Sequence, residues 1–176
     1  MILLIVGTPG SGKTTAARIA ESLGFRTIYA SDIIREEIKS RDLPYTSETD
    51  RMISDWFHKN DRERLFVERL IPKLLPDTLN VIEGFRSPKQ LKYLRELTDQ
   101  EIKILSIDAP FEERLKRLIK RHRFENIDEE YLQERDQREF SLGLKELMNK
   151  ADYRIHNDLS LAEFKERVKE ILRGLK

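Results

Sequence analysis

The sequence predicts an α/β fold, a parallel sheet with helices on both faces, and three observations carry that prediction. The chain opens on Ile2–Val6, five apolar residues in a row, as a strand buried on both faces requires. Apolar runs of strand length then alternate with helical patterns, the rhythm of crossover connections between parallel strands. Where the first strand meets the first helix the chain reads Gly7-Thr8-Pro9-Gly10-Ser11-Gly12, a loop built for close backbone approach. At about 100–200 residues per domain, 176 residues make one domain.

Each element follows in order. After the glycine-rich loop, 14–23 reads as a helix and 27–29 as a weak second strand. Residues 32–39 are helical, with Ser31 placed as N-cap. From 47 to 75 the pattern is polar and helical, with apolar Met52, Ile53, Trp56, Phe57, Leu65, Phe66 and Leu70 and no strand signal. The region 40–75 therefore breaks the strand–helix rhythm and reads as a helical insertion. A strand at 79–82 precedes a helix at 88–97 that starts on proline. A strand at 102–107 leads to a helix at 111–122 and a longer one at 128–149. A short strand at 153–156 and an amphipathic helix at 161–172 close the chain. There is no internal repeat or low-complexity segment.

Composition excludes several function classes. With 33 Lys plus Arg against 32 Asp plus Glu the formal charge is +1, so there is no general electrostatic case for a protein that wraps DNA. The absence of cysteine excludes a disulfide scaffold, a thiolate zinc site and a cysteine nucleophile. The longest apolar run is far too short to span a bilayer and lacks the features of a signal peptide, which predicts a soluble, cytoplasmic chain with no membrane partner. The unusual figure is 37% charged residues, an abundance matching the ion-pair networks of proteins from hot environments.

Gly7 through Thr14 fits G-x-x-x-x-G-K-S/T in full, with a strand before and a helix after, as a phosphate-binding loop requires. Its glycines let successive backbone N–H groups turn toward a phosphate, and the helix N-terminus adds partial positive charge. Lys13 would reach the β- and γ-phosphates and the Thr14 hydroxyl would ligate Mg2+. The expected ATP-binding residues of this segment are Gly7, Pro9, Gly10, Ser11, Gly12, Lys13, Thr14 and Thr15.

Four further segments carry a resemblance: Ser31-Asp32-Ile33-Ile34-Arg35 after the second strand, Glu83-Gly84-Phe85-Arg86 after the third, Arg117 and Arg121 after the fourth, and Arg135-Asp136-Gln137-Arg138 beyond them. Through these, over most of its length, the chain resembles the nucleoside monophosphate kinases, adenylate kinase in particular. It is most similar to archaeal adenylate-kinase-related proteins through 81–87 and 135–157, and 151–157 also looks like the end of dephospho-CoA kinases. The resemblance implies a three-layer P-loop NTPase fold with a five-stranded parallel sheet in the order 2-3-1-4-5. It also implies a helical monophosphate-binding insertion at about 31–75 and a short lid at about 121–136. It further implies ATP as phosphoryl donor, Mg2+ as cofactor and AMP as acceptor. Asp32, Arg35, Glu83, Gly84, Arg86 and Arg138 would bind the monophosphate, and Arg117 and Asn157 would join the ATP site. Lys13, Arg86, Arg117, Arg121 and Arg135 would be catalytic, Arg121, Arg123 and Arg135 would form the lid, and Thr14 with Glu83 would hold the metal. The family carries aspartate where Glu83 stands, and its lid motif leads into an arginine-rich turn at the place of 135–138.

The chemistry agrees. An enzyme that phosphorylates a phosphate must hold two polyanions together, and guanidinium forks grip them bidentately while staying charged. Arg114, Arg117 and Arg121 share one helical face. Of these, Arg114 is expected to be structural. Asp108 is a second metal candidate, or a helix cap. His58, His122 and His156 match no metal spacing and read as structural or surface residues. Trp56 with Phe57 reads as core of the insertion, while Tyr29 and Tyr45 are candidates for an acceptor-base pocket. Two rival readings remain open at this point: transfer to a ribose hydroxyl with Asp32 as base, and a slow ATP-binding switch or assembly factor. Nucleic acid is not an expected partner, since no aromatic-plus-basic surface motif is visible. Arg35, Arg86, Arg117, Arg121, Arg123, Arg135 and Arg138, with Lys13, should converge on one basic cleft within a neutral protein.

Overall fold

Five parallel strands form the sheet, in the order β2-β3-β1-β4-β5: β1 (Ile2–Val6), β2 (Arg26–Tyr29), β3 (Asn80–Glu83), β4 (Ile102–Asp108) and β5 (Tyr153–His156). The computed structural model describes residues 1–121 and 127–175. His122 and Arg123 therefore lie outside the described residues. The apolar opening run is the central strand: Ile2 pairs with Asn80 on one side and Ile102 on the other. Its five side chains are wholly buried and alternate between two cores. Ile2, Leu4 and Val6 face a core with Ile33, Ile53, Phe57, Phe66 and Leu91. Leu3 and Ile5 face a second core with Ala16, Ala20, Phe164 and Val168. Each fully buried aliphatic side chain contributes about 1.5–3 kcal/mol, so this strand alone anchors three layers.

The helices around the sheet are α1 (Lys13–Ser22), α2 (Ala30–Ser40), α3 (Ser47–His58), α4 (Glu63–Leu70), α5 (Pro88–Leu97), α6 (Phe111–Arg121), α7 (Glu129–Ser141), α8 (Leu144–Asn149) and α9 (Leu161–Arg173). Among the described residues no helix is long and apolar enough to cross a membrane. Lys116–Glu113, Lys150–Glu146 and Lys169–Glu166 pair within single helices at 2.6–2.8 Å, so much of the charge cancels within one helical turn.

Three local expectations are corrected. Ser31 is not the cap of α2. The helix begins at Ala30 directly from extended Tyr29, which makes no side-chain cap bond, so strand and helix join without a loop. The stretch 47–75 is two helices and a 3₁₀ turn, Ile71–Lys73. The break falls where Asn60 and Asp61 take left-handed φ of 54° and 61°, a conformation these short polar side chains tolerate. The stretch 128–149 divides at Gly143, whose φ is 96°. Residues 135–138 are accordingly no turn. They lie inside α7, which Asp128 caps by accepting from the Tyr131 N–H at 2.8 Å.

The insertion is tied to the sheet by an edge-to-face chain of rings, Phe57 to Phe66 at 5.2 Å and Phe66 to Phe85 at 6.4 Å. The guanidinium groups of Arg41 and Arg62 lie over the Trp56 ring, 4.3 and 4.5 Å from its centre. Buried Glu37 pairs with Arg41 and Arg69, and buried Glu63 accepts from Ser87 and contacts His58 Nδ1 at 3.0 Å.

Burial opposes the charge of Glu37, but Arg69 and Arg41 outweigh it and hold the carboxyl below its ordinary 4.5. Glu63 is likewise held low against burial by its bonds from His58 and Ser87. Their contribution to stability is complete above the ordinary carboxylate value and is lost as the pH falls through the depressed folded values. Thermal melting should therefore be nearly flat from about pH 7 to 5 and decline below that, with Glu37→Gln less stable at neutral pH and less steep in acid. A Cβ on Gly143 would meet Pro88 Cδ at 2.6 Å. Gly143→Ala should cost roughly 1–3 kcal/mol, read as a fall in melting temperature.

Candidate active site

The glycine-rich loop leaves the carboxyl end of the central strand, where open α/β sheets bind ligands. Its path is dictated by crowding: a Cβ on Gly7, at φ 151°, would lie 1.8 Å from the Ile107 carbonyl oxygen. The loop is fixed from outside by three side chains. Asn157 Nδ2 donates to the Ser11 carbonyl at 2.7 Å, and Arg117 donates to Asn157 O at 3.0 Å and Ser11 O at 3.5 Å. Arg114 donates to Pro9 O at 3.2 Å and grips Asp136 of α7 through two bonds of 2.9 and 2.6 Å. This places Arg114, as expected, in a structural role.

Lys13 begins α1, whose first turn holds no acidic residue, so its N-terminal partial charge faces the loop uncompensated by the helix's own side chains. Its ammonium donates to Gly7 O at 2.8 Å and Thr8 O at 2.9 Å. Burial pulls its pKa below the ordinary value, with Glu83 and Glu139 acting the other way.

The loop opens onto a cavity of about 830 Å³. Gly7, Pro9, Gly10, Gly12, Lys13, Thr14 and Thr15 line it, whereas the side chain of Ser11 is buried behind the loop. Six arginines reach the same cavity: Arg18, Arg35, Arg86, Arg117, Arg121 and Arg135. Three carboxylates face them: Glu21, Glu83 and Glu139. Glu83 and Gly84 line it from the end of β3, and Asn157 from beyond β5.

Several residues expected at the site lie elsewhere. Asp32 does not line the cavity and instead pairs with Arg35 at 2.5 Å. Arg138 stands behind Arg86 and pairs with Asp55 at 3.6 Å. Its pKa is lowered by burial and then by the nearby Arg86. Asp108 faces His156 at 2.9 Å, away from the lining. Tyr29 lines the cavity, its phenol pushed up to about 12 by burial and then by Glu21. Tyr45 lies on a separate shallow pocket, with the Arg35 guanidinium 5.8 Å from its ring centre. Trp56 and Phe57 belong to the insertion core, as expected.

Sequence reasoning missed Glu139. It lies one turn after Arg135 on α7, is only 3% exposed, and its carboxylate is 3.3 Å from Arg135 Nε and 3.8 Å from Arg86 Nε. Burial opposes its charge, yet Arg86, Arg135 and Lys13 hold the carboxyl below the usual range. Burial also opposes the Arg135 charge, and Glu139 with the Tyr131 phenol more than offsets it, raising that pKa. The spacing Arg135–Glu139, an i,i+4 pair of opposite charge, was the available signal.

The donors present suit Mg2+. No group of three or more His, Asp or Glu side chains among the described residues could cage a metal. The Thr14 hydroxyl and the Glu83 carboxylate share the cavity, an all-oxygen set that leaves the remaining positions to phosphates and water, which is how Mg2+ binds.

Comparison with known proteins bears on the family and the fold. A family model described as an AAA domain matches residues 6–134. A UPF0200 protein of Methanothrix thermoacetophila is 33% identical over 178 residues, which cover 99% of this chain and 97% of the relative. Shikimate kinase from Acinetobacter baumannii, solved in complex with shikimate, superposes with a TM-score of 0.62 at 22% identity, over 99% of this chain and 92% of that one. A gluconokinase from Sinorhizobium meliloti superposes with a TM-score of 0.58 at 16% identity, over 98% and 91% of the two chains. At such identities these two structures share the fold.

Arg114→Met leaves Asp136 as an unpaired buried charge, and should cost about 3–5 kcal/mol in thermal or urea melting. The double variant Arg114→Met with Asp136→Leu should recover most of that loss, because the buried charge goes with its partner.

Proposed function

Because this chain belongs to the AAA domain family matched over residues 6–134, and with its archaeal relatives to the UPF0200 proteins, we propose that it is an ATP-dependent phosphotransferase acting on a nucleoside monophosphate, AMP being the favoured acceptor. The single observation that supports this reading most is the charge of the cavity. Seven cationic side chains around the phosphate loop face three carboxylates, an excess that suits two polyanions.

In the proposed reaction the loop backbone and Lys13 hold the ATP phosphates, with Arg117 and Asn157 supporting the loop from behind. The Arg86 guanidinium, and Arg35 across the cavity, hold the acceptor phosphate. One of its oxygens attacks the γ-phosphorus, the bond from that phosphorus to the bridging oxygen breaks, and ADP leaves with the electron pair. Arg121 and Arg135 offset the negative charge on the transferring group. Mg2+, held by Thr14 and oriented from Glu83, would supply further charge neutralisation. The acceptor oxygen is already ionised, so no general base is required. Transfer to a hydroxyl would need one within hydrogen-bond reach. Asp32, the candidate for that role, is engaged by Arg35 outside the lining, which favours the phosphate acceptor.

ADP formation measured across a panel of nucleoside monophosphates tests the proposal: AMP should raise it well above basal ATPase. Failure of every monophosphate to do so would overturn the kinase reading in favour of a slow ATP-binding switch. Arg86→Ala should lower kcat/KM for the acceptor by roughly tenfold to a hundredfold, and Arg86→Lys should restore little of it, since a point charge does not replace the fork.

A further inference from the structure

α7 carries two carboxylates that meet arginines, and they do so in different ways. Asp136 clamps Arg114 bidentately at 2.9 and 2.6 Å, behind the loop and outside the cavity lining. Glu139, one helical turn further on, is inside the lining and holds its two arginines loosely. Its contact to Arg135 Nε is a single one of 3.3 Å, and to Arg86 Nε it is 3.8 Å, beyond hydrogen-bond length. Arg86 spends its Nη1 on Ser54 Oγ at 2.9 Å, and Arg135 its Nη1 on the Tyr131 hydroxyl at 3.3 Å. In both guanidinium groups the nitrogen nearest Glu139 is Nε. A buttress would look like Asp136; Glu139 has the geometry of a partner that can be exchanged.

We propose that Glu139 is an internal counter-anion which competes with substrate phosphate for Arg86 and Arg135, so that binding transfers these guanidinium groups from the carboxylate to the phosphate. The inference deepens the reading that the cavity holds phosphates, and rests on it. Its physical basis is crowding. Arg86 and Arg135 approach one buried carboxylate at 3.8 and 3.3 Å, and Lys13 and Arg138 add to the positive charge around it; burial first and then the neighbouring Arg86 charge lower the Arg138 pKa. With no polyanion bound, the carboxylate makes that assembly tolerable. When phosphate arrives, the same negative charge opposes it. Glu139 is therefore a positioning residue that trades ground-state affinity for a stable cluster and for release of a highly charged product.

The test is Glu139→Gln, which keeps the shape and removes the charge. Equilibrium titration with inorganic phosphate and with MgATP should show binding roughly fivefold to tenfold tighter than in the parent protein, while Glu139→Asp, which keeps the charge, should stay near the parent. In turnover with AMP, KM should fall together with kcat. A merely structural role would raise KM or leave it unchanged. Unchanged or weaker phosphate binding in a folded Glu139→Gln protein overturns the proposal. Should that variant fail to fold, the parent protein decides the matter: the Arg86 and Arg135 Nε–H resonances must shift together when MgATP and AMP are added, and fixed resonances overturn the proposal. The titrations require no turnover. A chain that binds phosphate as expected but phosphorylates no monophosphate would sink the kinase reading alone, and a kinase whose Glu139→Gln variant binds no more tightly would sink this inference alone.

Discussion

The passage of the loop backbone between the sheet and α6 is the constraint on which the rest of the site depends. Gly7 sits so close to the Ile107 carbonyl that no side chain fits, and the loop beyond it is gripped from outside by Asn157, Arg117 and Arg114. Arg114 matters most because its guanidinium has two clients at once. It fixes the Pro9 carbonyl, and through Asp136 it fixes the rotation of α7 about its own axis. Since Arg135, Arg138 and Glu139 follow from that rotation, one buried ion pair places both the glycine-rich loop and the charges opposite it.

Around that joint the molecule holds like charges together at close range, which is unfavourable unless something absorbs the repulsion. Two devices do so. Acids that face the cavity, Glu83 and Glu139, lower the local potential without filling the space. Backbone carbonyls take up the remaining donors: Lys13 is satisfied by Gly7 and Thr8, and Arg117 by Ser11 and Asn157. The neutral total of the chain thus conceals a strongly asymmetric interior, while the exposed charges largely cancel within single helices.

How far this was legible in the sequence depends on the range of the interactions. Ile2–Val6 and the loop from Gly7 to Thr14 could be read because their chemistry is local: a buried strand must be apolar, and a phosphate loop needs its glycines at fixed spacing. The sheet order agrees with what the resemblance implied, and Arg35, Arg86, Arg117, Arg121 and Arg135 line one cavity, whereas Arg138, expected beside them, does not. Glu139 was not legible, because its meaning lies in Arg86, which reaches it from another part of the chain. The helical character of 47–75 was legible from its apolar spacing, but not the break at Asn60 and Asp61, since left-handed backbone is tolerated by these residues and not dictated by them. Ser31 misled by being a good cap at a place where strand runs straight into helix. Asp32, turned to Arg35 and out of the lining, follows the i,i+3 spacing of opposite charges on one helix, a signal that competes with a role in the cavity.

Trp56 has a consequence of a different kind. It is the sole tryptophan of the chain, and over its ring lie Arg41, which follows α2, and Arg62, which precedes α4. Two guanidinium groups over the ring make the emission of that indole sensitive to any change in how those segments meet. The protein therefore carries a built-in optical reporter for its helical insertion, readable without labels.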